Sequence, residues 1–211
     1  MHFLITAGAT REHIDPVRFI SNASSGKMGY ALTRAALKAG HKVILISASD
    51  LQPPVGVEFV GVDSAAQMFA AVKKFFPKCD CLIMAAAVSD YTPAKKAKVK
   101  IKKTSKAITI KLKPTTDILK WAGRHKKKNQ IVAGFALEDK NLRANAERKL
   151  KEKNLDMIIA NTPAAIGAER TTVQIKMAKK KWLRLPQTDK AKVAKKIIAL
   201  IESITGHFCQ D

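Results

Sequence analysis

The run His2-Phe3-Leu4-Ile5-Thr6 stops at Ala7-Gly8-Ala9, and Lys42-Val43-Ile44-Leu45-Ile46-Ser47 follows a stretch with helical spacing from Gly26 to Ala39. The first segment is β-branched and apolar and meets a glycine, which predicts a strand entering a loop. Between the two runs, Met28, Leu32, Ala35, Ala36 and Ala39 fall on one helical face, and Gly40 supplies a C-terminal stop. The second run is continuously apolar, as in a strand buried on both faces of a parallel sheet. Residues 1–48 therefore form a βαβ unit with an unusually long first loop, Ala7 to Ser25.

The same alternation continues outward. Glu58–Val62 reads as a strand, Ser64–Phe76 as a helix, Cys81–Ala87 as a buried strand and Ile131–Leu137 as another. Asn141–Glu152 follows as a helix and Met157–Ala160 as a strand. Strands alternating with helices imply an α/β, doubly wound, mainly parallel Rossmann-like sheet with helices on both faces. Two stretches depart from that rhythm. Lys98–Lys103 and Ala107–Lys113 alternate lysine with apolar residues around Thr104-Ser105-Lys106, which predicts an inserted basic β-hairpin at about 92–113. Thr172–Met177 and Lys181–Leu185 read as two antiparallel strands around a lysine turn, and Lys190–Ile204 as a closing amphipathic helix. No repeat or linker divides the chain, so residues 1–211 are expected to be one domain.

Composition narrows the partners. Hydrophobic residues make up 46% of the 211 and charged residues 27%, as in globular proteins. Apolar runs stay far below the roughly 20 residues of a spanning helix, and the N-terminal residues lack a secretory pattern, so the expected location is cytoplasmic. Cys79, Cys81 and Cys209 have neither a disulfide framework nor zinc spacing and read as reduced structural thiols. The net charge of +22 sets up a field that attracts nucleotides, phosphorylated metabolites or nucleic acid.

Ligands of a doubly wound sheet bind beyond the carboxyl ends of its strands. The long first loop leads into a helix through Ser24, Ser25 and Gly26, whose backbone N–H groups can cradle an anion. Two phosphate motifs fail here. A Walker loop needs a glycine where Ser21 stands and a hydroxyl where Met28 stands, and Gly8-Ala9-Thr10 does not supply the dinucleotide fingerprint. Tyr91 and Lys95 have the spacing of a reductase pair, but Pro93 opposes the helix that pair requires.

The runs Ile5-Thr6-Ala7-Gly8-Ala9-Thr10-Arg11-Glu12, Asp15-Pro16-Val17-Arg18 and Ile20-Ser21-Asn22-Ala23-Ser24-Ser25-Gly26-Lys27-Met28-Gly29 closely resemble the ligase half of bacterial phosphopantothenate–cysteine ligases. Ala85–Tyr91, Lys100–Lys103, Val132–Glu138, Lys153–Asp156 and Ala160-Asn161 agree in order, so the resemblance covers roughly residues 4 to 205. It implies a carboxylate–amine ligase of coenzyme A biosynthesis. Phosphopantothenate would be activated with CTP to an acyl-cytidylate and coupled to L-cysteine, giving 4'-phosphopantothenoylcysteine, CMP and pyrophosphate. Mg²⁺ would bridge the phosphates, and a homodimer would form through the hairpin. The family often carries a flavin-dependent decarboxylase ahead of this domain, and here a stand-alone ligase is expected.

The resemblance also assigns residues. Asn22 matches the key active-site asparagine, whose amide can donate to the acyl-nucleotide, and Ser24, Ser25 and Gly26 would bind substrate with it. Lys100 matches the active-site lysine by ungapped alignment from Asp90, although spacing alone does not choose among Lys98, Lys100, Lys102 and Lys103. Met84, Ala85, Ala86, Asp90, Thr116, Asp117, Ile118, Leu119, Phe135, Lys149 and Lys153 would bind the nucleotide with Lys100, Thr116 acting as a helix N-cap. Read without the resemblance, burial statistics favour Phe135 as a core aromatic, and Lys149 and Lys153 as a solvated pair one helical turn apart. No cation ligands are assigned. Thr115-Thr116-Asp117 replaces the family's usual Asn-Pro-Asp.

Two other functions compete with this reading. A basic nucleic-acid-binding protein would use the +22 charge, but aromatics are only 6% and none interleaves with the lysine runs as a stacking platform. An NAD(P)-dependent reductase on the same fold is disfavoured by the missing glycine fingerprint.

Overall fold

A computed structural model describes residues 1–178 and 180–205, with only the backbone of Thr205, so Lys179 and Cys209 lie outside the described residues. The strands are β1 (His2–Gly8), β2 (Lys42–Ala48), β3 (Glu58–Gly61), β4 (Cys81–Met84), β5 (Ile131–Leu137), β6 (Met157–Asn161), β7 (Arg170–Met177) and β8 (Leu183–Asp189). The helices are α1 (Lys27–Lys38), α2 (Ala65–Phe75), α3 (Ile118–His125), α4 (Leu142–Glu152) and α5 (Lys190–Thr205).

These strands form one sheet in the order β8-β7-β6-β5-β4-β1-β2-β3. β3 through β6 pair in parallel, and β7 and β8 add antiparallel at one edge. Leu4 lies between Ile44 of β2 and Leu82 of β4 in register, so the most apolar runs occupy the centre, where both faces are covered. The period-two alternation of strand side chains then divides the core. Phe3, Ile5, Val43, Leu45, Ile83 and Ile159 pack under α1 and α5, while Leu4, Ile46, Leu82, Val132 and Ile158 pack under α2, α3 and α4. Leu82 is fully buried, and truncating such a side chain to alanine removes about 2–5 kcal/mol of stability.

Helix starts follow local chemistry. Ser64 accepts from Gln67 N–H while the Gln67 side chain accepts from Ser64 N–H, a capping box that fixes where α2 begins. For α3 the cap is Asp117, which accepts from Lys120 N–H at 2.9 Å, and not Thr116 as the sequence suggested. An ionised carboxylate suits the positive end of the helix better than a hydroxyl.

The other correction concerns the basic insertion. Its ladder is confined to the base, where Tyr91–Pro93 pairs antiparallel with Leu112–Pro114, and Lys98–Lys103 and Ala107–Lys111 form no ladder. The alternating pattern would gather Val99, Ile108 and Ile110 on one face, yet these are 75%, 55% and 39% exposed with no surface to cover them. A two-stranded ribbon without a covered apolar face is marginal in water. The strand foreseen at Cys81–Ala87 ends at Met84, where the chain turns into the mouth of the sheet.

Candidate active site

The strand order reverses between β1 and β4: one leads outward to β2 and β3, the other to β5 and β6. Loops leaving two such strands diverge and open a crevice at their carboxyl ends. Here hydrogen bonds lace the two loops together. Ala87 N–H donates to Gly8 O at 2.8 Å, and Thr10 N–H donates to Ala87 O at 3.2 Å. Ser89 N–H donates to the Thr10 hydroxyl at 2.9 Å, and within the first loop the Ser21 hydroxyl donates to Thr10 O at 2.9 Å. Thr10 and Ser89 are buried, so the lacing satisfies polar groups that would otherwise be stranded.

Two glycines permit the close approach. Gly8 has φ +81°, and a Cβ there would stand 2.5 Å from Ser49 N; a Cβ on Gly29 would stand 2.5 Å from the Ala7 Cβ. Tight turn and helix-on-strand packing are two duties of a dinucleotide fingerprint. Here a long excursion separates them, which is why the compact motif is missing.

That excursion is anchored at Asp15, which is fully buried. Its Oδ1 accepts from the N–H groups of Val17 and Arg18, both at 2.8 Å, and its Oδ2 from the Arg18 guanidinium at 2.5 and 2.9 Å and from Ile101 N–H at 3.2 Å. Burial pushes the carboxyl up, but the Arg18 guanidinium and the N–H donors outweigh it and hold the group well below the usual range.

Two adjoining cavities open over the ends of β4 and β5. The larger, about 520 Å³, is walled by Asn22, Ser24, Ser25 and Gly26 from the first loop and by Ala85 from the second. The smaller, about 170 Å³, is walled by Met84, Thr116, Asp117, Ile118, Leu119 and Lys153. Ala86, Val88, Asp90, Phe135 and Lys149 line both, so the two share a wall. Asn22 reaches across the crevice and donates to Ala87 O at 3.2 Å. Of the residues singled out from the sequence, Lys100 lines neither cavity; it is exposed on the insertion, next to Ile101.

Charge is arranged at both ends of this cleft. Lys149 donates to Phe135 O at 2.7 Å, and burial, then the neighbouring Lys153 charge, pull its ammonium below the ordinary lysine value. Lys153 pairs with Asp117 at 2.7 Å. Burial pushes Asp117 up, but the Lys153 ammonium and Lys120 N–H leave it lowered. At the far end, Lys27 heads α1 and pairs with Glu169, and Lys190 heads α5 and donates to Ala165 O at 3.3 Å. Burial, then Lys27, pull the Lys190 ammonium down against the Glu169 charge.

Lys27, Glu138, Asn161, Ala165–Gly167 and Lys190 line the larger cavity without having been assigned to it. Glu138 and Asn161 stand at the ends of β5 and β6, and the strand-end rule that singled out Asp90 could have found them. Lys190 carried no such signal, because it arrives only after the chain has returned through β7 and β8.

The thiols of Cys79 and Cys81 lie in the core, away from the mouth, and burial pushes them up, Cys79 to about 12. Among the described residues, no group of three or more His, Cys, Asp or Glu side chains could hold a metal ion, and no helix is long and apolar enough to cross a membrane.

Comparison with known proteins places this arrangement. Over 169 residues, 79% of this chain, it is 50% identical to the coenzyme A biosynthesis bifunctional protein CoaBC of Bacillus subtilis, of which it covers 41%. The chain spans about half the length of the curated relatives it matches. The crystal structure of the C-terminal domain of a CoaBC protein superposes with a TM-score of 0.85 at 39% identity, covering 98% of this chain and 96% of that one. A Cab2 mutant in complex with phosphopantothenate-cysteine shares the fold, with a TM-score of 0.82 at 18% identity over 99% of this chain and 89% of that one. The family profile described as the DNA/pantothenate metabolism flavoprotein C-terminal domain matches residues 1–204, and this chain belongs to that family.

Proposed function

We propose that this domain joins 4'-phosphopantothenate to L-cysteine, using CTP, as a phosphopantothenate–cysteine ligase in the cytoplasm. The observation that carries the reading is the shared wall: one cavity suited to an extended acid and one suited to a nucleotide meet at Ala86, Asp90, Phe135 and Lys149. The similarity to proteins named for coenzyme A biosynthesis supports it, as does a neighbour whose complex contains phosphopantothenate-cysteine.

In the first step a carboxylate oxygen of the acid attacks the α-phosphorus of CTP, and the bond to the β-phosphate oxygen breaks to release pyrophosphate. In the second, the cysteine nitrogen attacks the activated carbonyl, CMP leaves, and the nitrogen's proton passes to water. Both steps bring anions together, so the residues must neutralise and orient. Lys149 and Lys153, one turn apart, would hold the polyphosphate, and the backbone of Thr116–Leu119 would line the nucleotide at the start of α3. Asn22 would donate its amide N–H to the acyl or phosphoryl oxygen where charge develops, exchanging the Ala87 carbonyl for it. Lys100 would join from the insertion. Asp90 and Glu138 are carboxylates at the larger cavity, and with phosphate oxygens completing the shell they suit Mg²⁺ arriving on the nucleotide. That cation would neutralise the triphosphate and help pyrophosphate depart.

The exposed Val99, Ile108 and Ile110 support a homodimer in which a second copy covers the insertion. The test is a pyrophosphate-release assay with phosphopantothenate and CTP, ATP or GTP, with and without cysteine. Release with CTP before cysteine is added is the expected result. A protein inert toward all three triphosphates would refute the proposal.

A further inference from the structure

A separate hollow lies on the outside of the helices. α1 and α5 run side by side in the same direction. Lys27 and Lys190, at their starts, both line the larger cavity, and Glu202, near the end of α5, bonds His41 just past the end of α1 at 2.8 Å. Between the two helices opens a groove of about 630 Å³ that shares no residue with either cavity at the strand ends. We infer that this groove is the docking site for an acidic amphipathic helix of a companion protein. The inference stands apart from the ligase reading.

The groove has an apolar floor and a basic rim. Ala35, Ile198 and Ala199 supply hydrocarbon along it. Arg34 and Lys38 stand exposed on the α1 side, and Lys192 and Lys195 on the α5 side. Small side chains on both helices let a third helix come close and seat a ridge between them. From Ala191 to Glu202 the groove follows α5 for about 16 Å, room for about three helical turns.

Charge sets the sign of the partner. Two carboxylates temper the rim: Asp189 lies 4.0 Å from Lys192, and Glu202 is engaged by His41. Arg34, Lys38 and Lys195 have no acidic partner among the described residues, so the rim keeps a positive excess. A helix with an apolar stripe between glutamates or aspartates matches floor and rim together. A basic helix matches only the floor. A flat anionic membrane reaches the rim and leaves the concave floor unfilled.

The ends of the groove bear on where such a partner comes from. The Met1 amino group lies 3.4 Å from His41 Nδ1, at the Glu202 end. In the CoaBC proteins the matching part is the C-terminal domain, so the polypeptide ahead of it arrives at that end. A companion seated along α1 and α5 stands beside the larger cavity and leaves it open.

The probe is a peptide of about 15 residues with leucines at helical spacing between glutamates, and its counterpart with lysines replacing the glutamates. Binding is read by fluorescence anisotropy and by backbone amide shifts, with melting curves for each variant. The acidic peptide should bind with a Kd on the order of micromolar and shift amides of α1 and α5, and the basic one should not bind. Lys195→Glu should weaken binding about threefold to tenfold, the scale of an exposed ion pair turned into a repulsion. Ala199→Arg adds positive charge but fills the groove, and it should weaken binding at least as much. Both variants should release pyrophosphate as wild type does. An acidic peptide that fails to bind, shifts amides elsewhere or binds Ala199→Arg as tightly as wild type would overturn the inference. Loss of self-association in Ala199→Arg would assign the groove to a second copy. Phosphatidylserine vesicles that displace the acidic peptide would assign it to a membrane, and either result overturns the inference too.

Discussion

The mouth of the sheet and the basic insertion both present polar groups to solvent, but they hold them in opposite ways. In the mouth, Thr10, Ser89 and Asn22 are bonded across the crevice, so the two loops support each other. Between its base and its tip, the insertion has its alternating lysines and apolar side chains exposed, with Val99 at 75%. A buried polar network fixes geometry because breaking it strands donors and acceptors. Away from its anchored points at Ala97 and Ile101, an exposed ribbon has nothing comparable to lose, so its shape there depends on what it meets. Geometry-critical chemistry should therefore reside in the mouth, while on the proposed reading the insertion would contribute assembly and one lysine charge.

Variants can break or sharpen that contrast. The largest effect is expected from Asn22→Asp, which replaces a donor with an anion facing phosphate. Amide formation should fall about a hundredfold to a thousandfold, with thermal stability near wild type, as measured by product formation alongside a melting curve. Turnover like that of wild type would show the mouth to be less critical than claimed. Lys149→Gln should come next, weakening CTP binding about tenfold to a hundredfold in a direct titration.

Asp15 links the two regions, because its Oδ2 binds Arg18 and Ile101 N–H. Its carboxyl is held below the unfolded value, so it stabilises the fold above about pH 4 and loses that contribution as pH falls further. Asp15→Asn should lower the melting temperature at neutral pH and flatten its dependence on pH at the acid end. A variant with the wild-type acid slope would show that the carboxylate is not the anchor. The smallest effect on the fold is expected from Ile108→Asp: monomer stability within about 0.5 kcal/mol, as for most surface substitutions, with loss of the dimer in sedimentation. A dimer that survives would place the interface elsewhere.

The sheet was legible because runs such as Val43–Ile46 and Ile131–Leu137 are apolar at every position, which only a doubly covered strand tolerates. Most of the mouth was legible too, since its residues lie in short segments just after those strands. Periodicity misled at Lys98–Lys111, because a period-two pattern records which faces a ribbon would have and not whether anything covers one of them. Thr116 and Asp117 can both cap a helix, and the choice fell to the residue that Lys153 could also reach. Lys27 and Lys190 are distant in sequence and meet only because β7 and β8 bring α5 back beside α1, a long-range event that no local pattern encodes.

Three hydrogen bonds stitch the insertion to the excursion: Ala97 N–H to Ile14 O at 2.8 Å, Ile101 N–H to Asp15, and the Arg18 guanidinium to Ile101 O at 2.6 Å. They divide one long wandering segment into two shorter spans, and Lys100 sits at the knot. If Lys100 meets the nucleotide as proposed, bringing its ammonium there would require freezing about one flexible side chain, on the order of 1.5–2 kcal/mol, instead of immobilising an entire ribbon. In a working ligase, a leash that short would keep the charge close at hand from one reaction to the next.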